Sequence, residues 1–312
     1  MVDAASSFRY RQSMLMIAPG QDTAGPGSPP ADAAPAARLI IAASHSWRER
    51  LRLAMTDLGA TARLWPLVWT LSLFDIRLRY RGSLLGPLWL TLSTAIMVAA
   101  IGVLYAKLFH QDVATYLPFL TISLVLWNFI NTVASEGTTC FTQADAMIRS
   151  MRMPHSVHAA RVVMRNVLVL GHNIVVVALV FMLFGTRPGL DCFTLLPGFL
   201  LWLADAFAAS LLLGLFGARF RDIPPIVASV MQIAFYITPI MWNPAMLAHR
   251  GLVRAIVELN PFYALLEIMR GPLLGLPLDP AAWQIALAYS LGLFLVTGLV
   301  FVRARPRLPY WL

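Results

Sequence analysis

The sequence predicts an all-α integral membrane protein, and three observations lead there: its composition, its long apolar runs and the positions of its arginines. Of the 312 residues, 59% are hydrophobic and 12% are charged, and the mean hydropathy is +0.70. Soluble domains carry roughly 25% charged residues, so this chain has too little polar surface for water to solvate most of it. Lipid is therefore the expected solvent for most of the chain.

Six apolar stretches are long enough to form transmembrane helices, because crossing the hydrocarbon takes about 20 helical residues and usually 17–25. They are 88–109, 116–133, 167–184, 195–217, 223–242 and 283–302. The fifth stretch contains Pro224, Pro225 and Pro239, which predict a kinked or shortened helix. The expected architecture is a bundle of six spans.

The positions of the basic residues predict that both ends of the chain are cytoplasmic. In that orientation nineteen arginines lie in cytoplasmic segments, whereas four arginines and Lys107 lie on the outer side. Cytoplasmic loops of membrane proteins carry an excess of Lys and Arg, so topology explains the net charge of +9. We expect a multi-pass protein of the cytoplasmic (inner) membrane that binds no nucleic acid.

Two regions are predicted, a basic, disordered cytoplasmic tail over 1–63 and a transmembrane domain over 64–312. Residues 18–37 of the tail are rich in Pro, Gly, Ala and Ser, a composition typical of disordered segments. A cleaved signal peptide needs an apolar core of roughly 7–15 residues, and Ser13–Ala18 is too short to provide one. The N-terminus is therefore expected to stay in the cytoplasm.

Residues 64–80 have the pattern of a helix that lies in the membrane interface. The apolar side carries Leu67, Leu71, Phe74 and Leu78, and the polar side carries Asp75, Arg77, Arg79 and Arg81. The apolar intervals of three and four residues place one set of side chains on one helix face. An apolar stripe opposite arginines describes an interfacial helix. A cytosolic helix packed on a partner would show the same pattern, and this alternative stays open.

The outer connection 243–282 is forty residues long and is neither polar enough for an open loop nor apolar enough for a span. Two Asn-Pro pairs, Asn243-Pro244 and Asn260-Pro261, each place a favoured N-cap before a proline at the first helical position. They predict short helices ending near residues 259 and 273, and Glu267 and Arg270 are spaced for an i,i+3 pair. We expect a re-entrant pair of half-helices, with a surface hairpin as the alternative.

Catalytic and metal-binding motifs are missing from the sequence. A P-loop needs a lysine that reaches the phosphates, and the single lysine, Lys107, stands in an unrelated context. The serine-hydrolase and zinc-protease motifs do not occur, and Cys140, Cys192 and the histidines lack zinc spacing. We expect this chain to have no ATPase site, metal or cofactor of its own.

Asp205 is the one carboxylate inside a predicted span. Ionisable residues within the membrane are costly and usually functional. Asp205 could bond to a neighbouring helix or take part in transport. A proton relay through it would need a partner such as His172 or Glu136. The sequence leaves both roles open.

Four segments, in this order, resemble the permease subunits of type-2 ABC exporters. They are 79–89 (RYRGSLLGPLW), 148–154 (IRSMRMP), 237–242 (ITPIMW) and 259–263 (LNPFY). The closest resemblance is to the branch that exports capsular polysaccharide, O-antigen and teichoic acid. The chain departs from that pattern in its longer tail and in carrying arginines and methionines where the family often has a lysine-rich stretch.

The resemblance implies a homodimer that works with two copies of a separate ABC ATPase subunit, which would bind the ATP and Mg²⁺. It also implies that Phe141–Met153 is the coupling helix. The expected docking ridge is Phe141, Ala144, Ile148 and Met151, with Arg149 and Arg152 facing the ATPase. A basic loop that only satisfies the membrane topology is the alternative for this stretch.

The same resemblance implies a lipid-linked polysaccharide as the substrate. Aromatic side chains supply large contact area for sugar rings at low entropic cost. The candidate channel-lining residues are Trp89, Tyr105, Trp127, Phe129, Phe235 and Tyr236. Aromatic residues at span ends also anchor proteins in the interface. An exporter of drugs or lipids with the same fold, a membrane-embedded glycan-processing enzyme and a structural scaffold are the alternative functions.

Overall fold

The computed structural model describes residues 46–86, 88–151, 153–244 and 251–312. Within these ranges the chain is helical, without a β-strand, which confirms the all-α membrane class. The α-helices are α1 (Trp47–Arg63), α2 (Trp65–Arg79), α3 (Leu88–Leu108), α4 (Val113–Gly137), α5 (Asp145–Ser150), α6 (Ser156–Phe184), α7 (Leu195–Arg219), α8 (Ile223–Ile237), α9 (Gly251–Glu258), α10 (Pro261–Leu273), α11 (Pro280–Ala304) and α12 (Leu308–Trp311). Short 3₁₀ turns cover Thr142–Ala144, Leu190–Thr194 and Arg305–Arg307.

Five of the described helices, α3, α4, α6, α7 and α11, are long and apolar enough to cross a membrane. The predicted fifth span differs, because α8 has 15 residues and ends at Ile237. Thr238 is extended, with φ −78° and ψ 136°, since a residue that precedes a proline is driven out of the helical region. The structure therefore contains five long helices and one short apolar helix, where the sequence predicts six spans.

The boundary of the predicted tail at residue 63 is wrong, because Trp47–Arg63 form helix α1. Ser46 caps this helix, and its side chain accepts a hydrogen bond from the Glu49 backbone N–H, in the sequence pattern of a capping box. Asp57 and two small side chains on the inward face are buried against the transmembrane helices. Residues 1–45 of the predicted tail lie outside the described residues.

Helix α2 lies where the interfacial helix is predicted, and it contacts α6. Its buried face consists of Val68, Ser72 and Ile76, one helical turn apart. Phe74 and Leu78, from the predicted apolar stripe, are 53% and 62% exposed. That part of the stripe faces away from the protein, where an interfacial helix would meet lipid.

Helix α4 is the central element of the fold and contacts α3, α6, α7, α8 and α10. Its residues 120–127 are all buried. The segment that leaves α4 lies directly against α7, where two glycines permit the approach. A Cβ atom on Gly217 would lie 1.9 Å from the Thr138 carbonyl oxygen, and one on Gly214 would lie 2.3 Å from Cys140 Sγ. Any larger side chain at these positions would push the segment after α4 away from α7.

The outer connection contains the short helices α9 and α10. The N-cap of α10 is Asn260, whose side-chain oxygen accepts a hydrogen bond of 2.9 Å from the Phe262 N–H. Helix α10 packs against α4, α7 and α11, so it belongs to the membrane core. In the region of the predicted first half-helix, the structure shows helix α9 over Gly251–Glu258. Residues 245–250 lie outside the described residues.

Candidate coupling and translocation site

A network of charged side chains joins α2 to the C-terminal end of α4 and the N-terminal part of α6. Arg161 of α6 donates two hydrogen bonds to the Asp75 carboxylate of α2, one of them from Nε at 2.8 Å. Arg165, one turn further along α6, donates from Nη1 to Asp75 Oδ2 at 2.8 Å. Charge-assisted bonds from guanidinium forks are directional and strong, so they hold α2 in a defined position on α6.

Glu136, near the end of α4, completes the same network. Its Oε1 accepts a hydrogen bond from Arg79 at 2.7 Å, and its Oε2 accepts bonds from Arg165 at 2.7 Å and Asn166 at 2.8 Å. Arg165 therefore bridges Asp75 and Glu136, and its side chain is only 10% exposed. We call Asp75, Arg79, Glu136, Arg161 and Arg165 the ionic network.

The surroundings of Asp75 keep its carboxyl group ionised. Burial alone would raise the pKa of Asp75, but the hydrogen bonds and charges of Arg161 and Arg165 outweigh it and lower the pKa below 3.8. Burial likewise opposes the charge of Arg79, yet the neighbouring Glu136 raises the pKa of Arg79. Asp75 and Arg79, spaced i,i+4, thus pair across helices and not with one another. Arg77 is exposed and stands outside this network.

A second buried carboxylate, Asp57 of α1, ties three elements together on the same side of the protein. Its Oδ1 accepts bonds from the Ser156 N–H at 3.0 Å and the Ser156 hydroxyl at 2.6 Å. Its Oδ2 accepts bonds from the His155 N–H at 3.1 Å and from Arg305 Nε at 2.8 Å. A carboxylate at the first N–H groups of a helix is favourable, so Asp57 caps α6 from a distant part of the chain.

The Asp57 side chain is fully shielded from solvent. Burial on its own would raise its pKa, but the bonds from Ser156, Arg305 and His155 together lower the pKa below 3.8. The Asp57 carboxyl group is therefore ionised at neutral pH, and we call it with its hydrogen bonds the ionic anchor. It fixes α1, the start of α6 and the turn after α11 relative to each other.

The predicted coupling stretch forms a 3₁₀ turn followed by α5. The predicted docking ridge needs correction, because Phe141 is 0% exposed and Ala144 is 7% exposed. Phe141 packs with Leu211 and Leu215 of α7 in the core, so it attaches the stretch to the membrane domain. Hydrophobic spacing alone did not reveal which side of this short segment faces inward.

The other residues of the stretch lie closer to the surface. Met151 is 51% exposed, Ile148 is half-buried, and Arg149 forms an exposed pair with Asp145 at 2.5 Å. Arg152 lies outside the described residues. An open cavity of about 650 Å³ adjoins this surface. Its walls include Thr56, Ile148, Arg149, Met151, Arg305 and Pro309.

A groove of about 580 Å³ runs between α3, α4 and α8. Its polar lining comprises Ser93, Thr94, Asn128, Asn131, Ser135 and Gln232, and its aromatic lining comprises Trp127, Phe235 and Tyr236. The Trp127 and Phe235 ring centroids are 5.9 Å apart. The groove thus combines hydrogen-bonding side chains with ring surfaces along one side of the bundle.

The structure separates the six aromatic residues predicted to line a channel. Trp127, Phe235 and Tyr236 line the groove. Phe129 points to another cavity and stacks on Trp202 with ring centroids 5.6 Å apart. The other two lie apart from both cavities: Trp89 at the start of α3 is 50% exposed, and Tyr105 packs on Phe109 near its end.

The polar groove residues are not among those predicted from the sequence to line a channel. Asn128, Asn131 and Ser135 follow one another at intervals of three and four in α4 and therefore share a helix face. Amides within an apolar span are a detectable signal, since polar side chains there are costly. Gln232 on α8 gives the same signal.

Arg270 fastens α10 inside the bundle, and its side chain is 1% exposed. It forms an ion pair with Glu267, at the predicted i,i+3 spacing, and donates to Ser123 Oγ at 3.0 Å and the Pro239 carbonyl at 2.7 Å. Its guanidinium also lies 4.5 Å from the centroid of the Phe119 ring. A single side chain of α10 therefore bonds to α4 and to the segment after α8.

Asp205 of α7 is buried, and its Oδ2 lies 2.7 Å from the Ser290 hydroxyl of α11. The proposed relay partners are engaged elsewhere. His172 Nδ1 lies 2.7 Å from the Leu168 carbonyl, and Glu136 binds the arginines of the ionic network. Asp205 therefore contacts the neighbouring helix α11.

The described part of the chain holds no group of three or more His, Cys, Asp or Glu residues able to bind a metal ion. Cys140 is buried, Cys192 is exposed, and both are free thiols. Burial raises the pKa of the Cys140 thiol far above its ordinary value, which makes it unreactive.

Comparison with known proteins found similar export permeases. The O-antigen export system permease protein RfbA of Myxococcus xanthus is 22% identical over 192 residues, which cover 62% of this chain and 74% of that protein. Another protein of that name, from Klebsiella pneumoniae, is 23% identical over 204 residues, or 65% of this chain and 78% of the relative. Residues 66–274 match the model of the ABC-2 type transporter. This match spans more than half of the chain, so the protein belongs to the ABC-2 type transporter family.

Proposed function

We propose that this protein is the permease subunit of an ABC exporter that moves a lipid-linked cell-surface polysaccharide outward across the cytoplasmic membrane. Both similar proteins described above carry names for O-antigen export. In this proposal the chain has no catalytic role, and both of its termini are cytoplasmic.

The groove between α3, α4 and α8 is the observation that carries the proposal. A glycan presents hydroxyl groups at its edges and C–H surfaces on its ring faces. Asn128, Asn131 and Gln232 supply donors and acceptors for the hydroxyls, and Trp127 and Phe235 supply ring surface. Drugs and lipids are largely apolar and offer fewer hydroxyl groups than a glycan, so a channel for them would not need three amide side chains within the membrane.

Membership of this family implies an ATP-binding partner subunit. In our proposal two such subunits bind ATP and Mg²⁺ and serve a homodimer of this chain. Ile148, Arg149 and Met151 form the docking surface, together with the adjoining cavity beside α1. Phe141 transmits the movement of this surface, because it is packed into the core beneath it.

The ionic network extends this path to the interfacial helix. The coupling stretch follows α4 directly, and Glu136 near the end of α4 binds Arg79 of α2 and Arg165 of α6. A displacement of the coupling stretch would therefore move α2 together with the ends of both spans. In the proposed mechanism this movement widens the groove between α3, α4 and α8 and lets the substrate pass.

The groove is tested with Asn131→Leu and Gln232→Leu in a strain whose own copy is deleted. Each variant should lower surface glycan several-fold, measured by labelling intact cells, because the glycan loses hydrogen bonds that the groove provides. Gln284→Leu is the matched control, since Gln284 is exposed on α11 and does not line the groove. Equal glycan display in all three variants, at equal protein level, would contradict the role of the groove.

A further inference from the structure

A second cavity, separate from the groove, lies between α4, α7, α8, α10 and α11 and has a volume of about 400 Å³. Such a volume falls within the range of roughly 300–1,000 Å³ that is usual for small-molecule sites. Its walls are apolar apart from Asp205 and its neighbour Ser290, together with the tyrosine Tyr289. Neither the coupling path nor the groove uses this cavity.

Ser290 contacts Asp205 from the neighbouring helix α11. Ser290 Oγ lies 2.7 Å from Asp205 Oδ2 and 2.9 Å from the Ala286 carbonyl oxygen. A serine hydroxyl has one proton to donate, so Ser290 either shares it between the carboxylate and this carbonyl in a three-centre bond or donates to only one of them. A protonated Asp205 that donates from Oδ2 to Ser290, which in turn donates to the Ala286 carbonyl, would give each contact its own proton. A neutral acid also avoids the cost of an ion among apolar groups.

Asp205 Oδ1 is then an acceptor without a partner among the described residues, although the side chain is more than nine-tenths buried. A buried acceptor without a hydrogen bond costs free energy that a donor can recover. Because Asp205 lines the cavity, a molecule inside it can supply that donor.

The depth of Asp205 in the membrane limits which molecules can donate a hydrogen bond to it. Asp205 is the eleventh of 25 residues in α7, and Ser290 is the eleventh of 25 in α11. At 1.5 Å per residue, Asp205 lies about 15 Å along α7, near the middle of a hydrocarbon layer about 30 Å thick. Phospholipid headgroups stay at the surface of that layer, so the donor must belong to a molecule that enters the hydrocarbon.

The cavity has an exposed mouth and shares a wall with the groove. Val230 of α8 and Tyr289 of α11, both lining residues, are 53% and 45% exposed. Met231 of α8 is 4% exposed and lines both the cavity and the groove. A molecule that fills the cavity would therefore contact α8, the helix that also carries the groove residues Gln232 and Phe235.

We propose that this cavity binds an apolar molecule that carries a neutral hydroxyl group, such as a medium-chain alcohol. The hydrocarbon body fills the apolar walls, and the hydroxyl donates to Asp205 Oδ1.

The test uses a photoactivatable octanol that carries a diazirine, with the full-length protein in lipid nanodiscs. Irradiation should place adducts on the lining segments of α7 and α8, located by mass spectrometry. 1-Octanol should compete about five-fold better than octane at equal mole fraction in the membrane, the ratio expected for one hydrogen bond. Equal competition by both compounds would overturn the proposal and requires no variant.

Variants separate the two parts of the site. Asp205→Leu should reduce the preference for octanol over octane to about one, because a leucine offers no acceptor. Ala209→Phe should abolish labelling at these segments, since Ala209 lines the cavity and the added ring fills it. The control is Ala204→Phe, on the exposed side of the same helix, which should leave labelling unchanged. Labelling that both phenylalanine variants leave intact would also overturn the proposal.

Discussion

At the scale of single residues, Arg165 shows how the protein keeps a charge at the edge of a membrane span. Its guanidinium bonds to Asp75 and Glu136, so its cost of burial is offset by two carboxylates. A buried pair is sensitive to the loss of one partner, because the remaining charge is left uncompensated. The ionic network is therefore a place where single substitutions should have large effects.

Glu136→Gln should lower the free energy of unfolding by about 1.5–3 kcal/mol, the usual contribution of hydrogen bonds to charged groups, because Arg165 keeps only Asp75 as a carboxylate partner. The neutral amide cannot balance both Arg79 and Arg165. The measurement is the thermal unfolding of the purified protein in detergent. Asp145→Asn is the control, since its pair with Arg149 is exposed and should contribute only about 0–1 kcal/mol. Equal losses in both variants would show that the network does not stabilise the fold.

Asp57 leads to a prediction about pH. Its pKa in the folded protein is lowered, so its stabilising effect is present above the ordinary carboxyl pKa and disappears as pH falls through the lowered value. At pH 7 the free energy of unfolding of the wild-type protein should exceed that of Asp57→Asn by at least about 1 kcal/mol. The wild-type protein should therefore unfold at a higher temperature. The difference should shrink below about pH 4. A difference that is independent of pH would contradict the ionic anchor.

At the scale of elements, α10 is placed by its own sequence and by one side chain. The Asn-Pro pair at its start and the spacing of Glu267 and Arg270 could be predicted from the sequence, because capping and i,i+3 pairing are local. The contacts of Arg270 with Ser123 and Pro239 could not be predicted, since these residues lie 147 and 31 positions away.

A double-mutant cycle tests how α10 is held. Arg270→Gln should destabilise the protein strongly, because Glu267 then remains buried without its partner. The double variant Glu267→Gln, Arg270→Gln should be less destabilised than the sum of the single variants, by roughly 0.5–3 kcal/mol. Thermal unfolding of the four proteins gives the coupling. Additive losses would mean that this pair does not secure α10.

Helices α1 and α6 show where prediction from the sequence ends. Hydropathy places the start of the third span at residue 167, because Arg161 and Arg165 interrupt the apolar run, but α6 begins at Ser156. The arginines are tolerated there because they are paired with acidic residues from other helices. The inward face of α1 likewise depends on Asp57 bonding to residues about a hundred positions later. Local patterns predict helices, whereas their pairing depends on such distant contacts.

At the scale of the whole molecule, the groove lies beside exposed apolar side chains of α3 and α8. Ile96 of α3 is 56% exposed, and Ile226 and Ile233 of α8 are 52% and 59% exposed. In the proposed homodimer this side of each chain faces its partner. The grooves of the two chains would then line one shared path for the substrate. Leu183, at the end of α6, is 71% exposed and would face lipid.

Cysteine crosslinking tests this arrangement. In a Cys192→Ser background, which removes the exposed native thiol, Ile233→Cys should form disulfide-linked dimers under mild oxidation. Leu183→Cys should not, because it lies away from the proposed dimer interface. Gel mobility under non-reducing conditions is the measurement. Equal crosslinking at both positions, or none at either, would contradict the proposed interface.

Deletion of the gene tests most directly whether this chain exports a surface glycan. The measurement is surface glycan on intact cells, alongside the lipid-linked glycan retained inside. We expect the surface glycan to be lost and the lipid-linked precursor to accumulate, with both restored by the wild-type chain. Normal glycan display in the deletion strain would contradict the account.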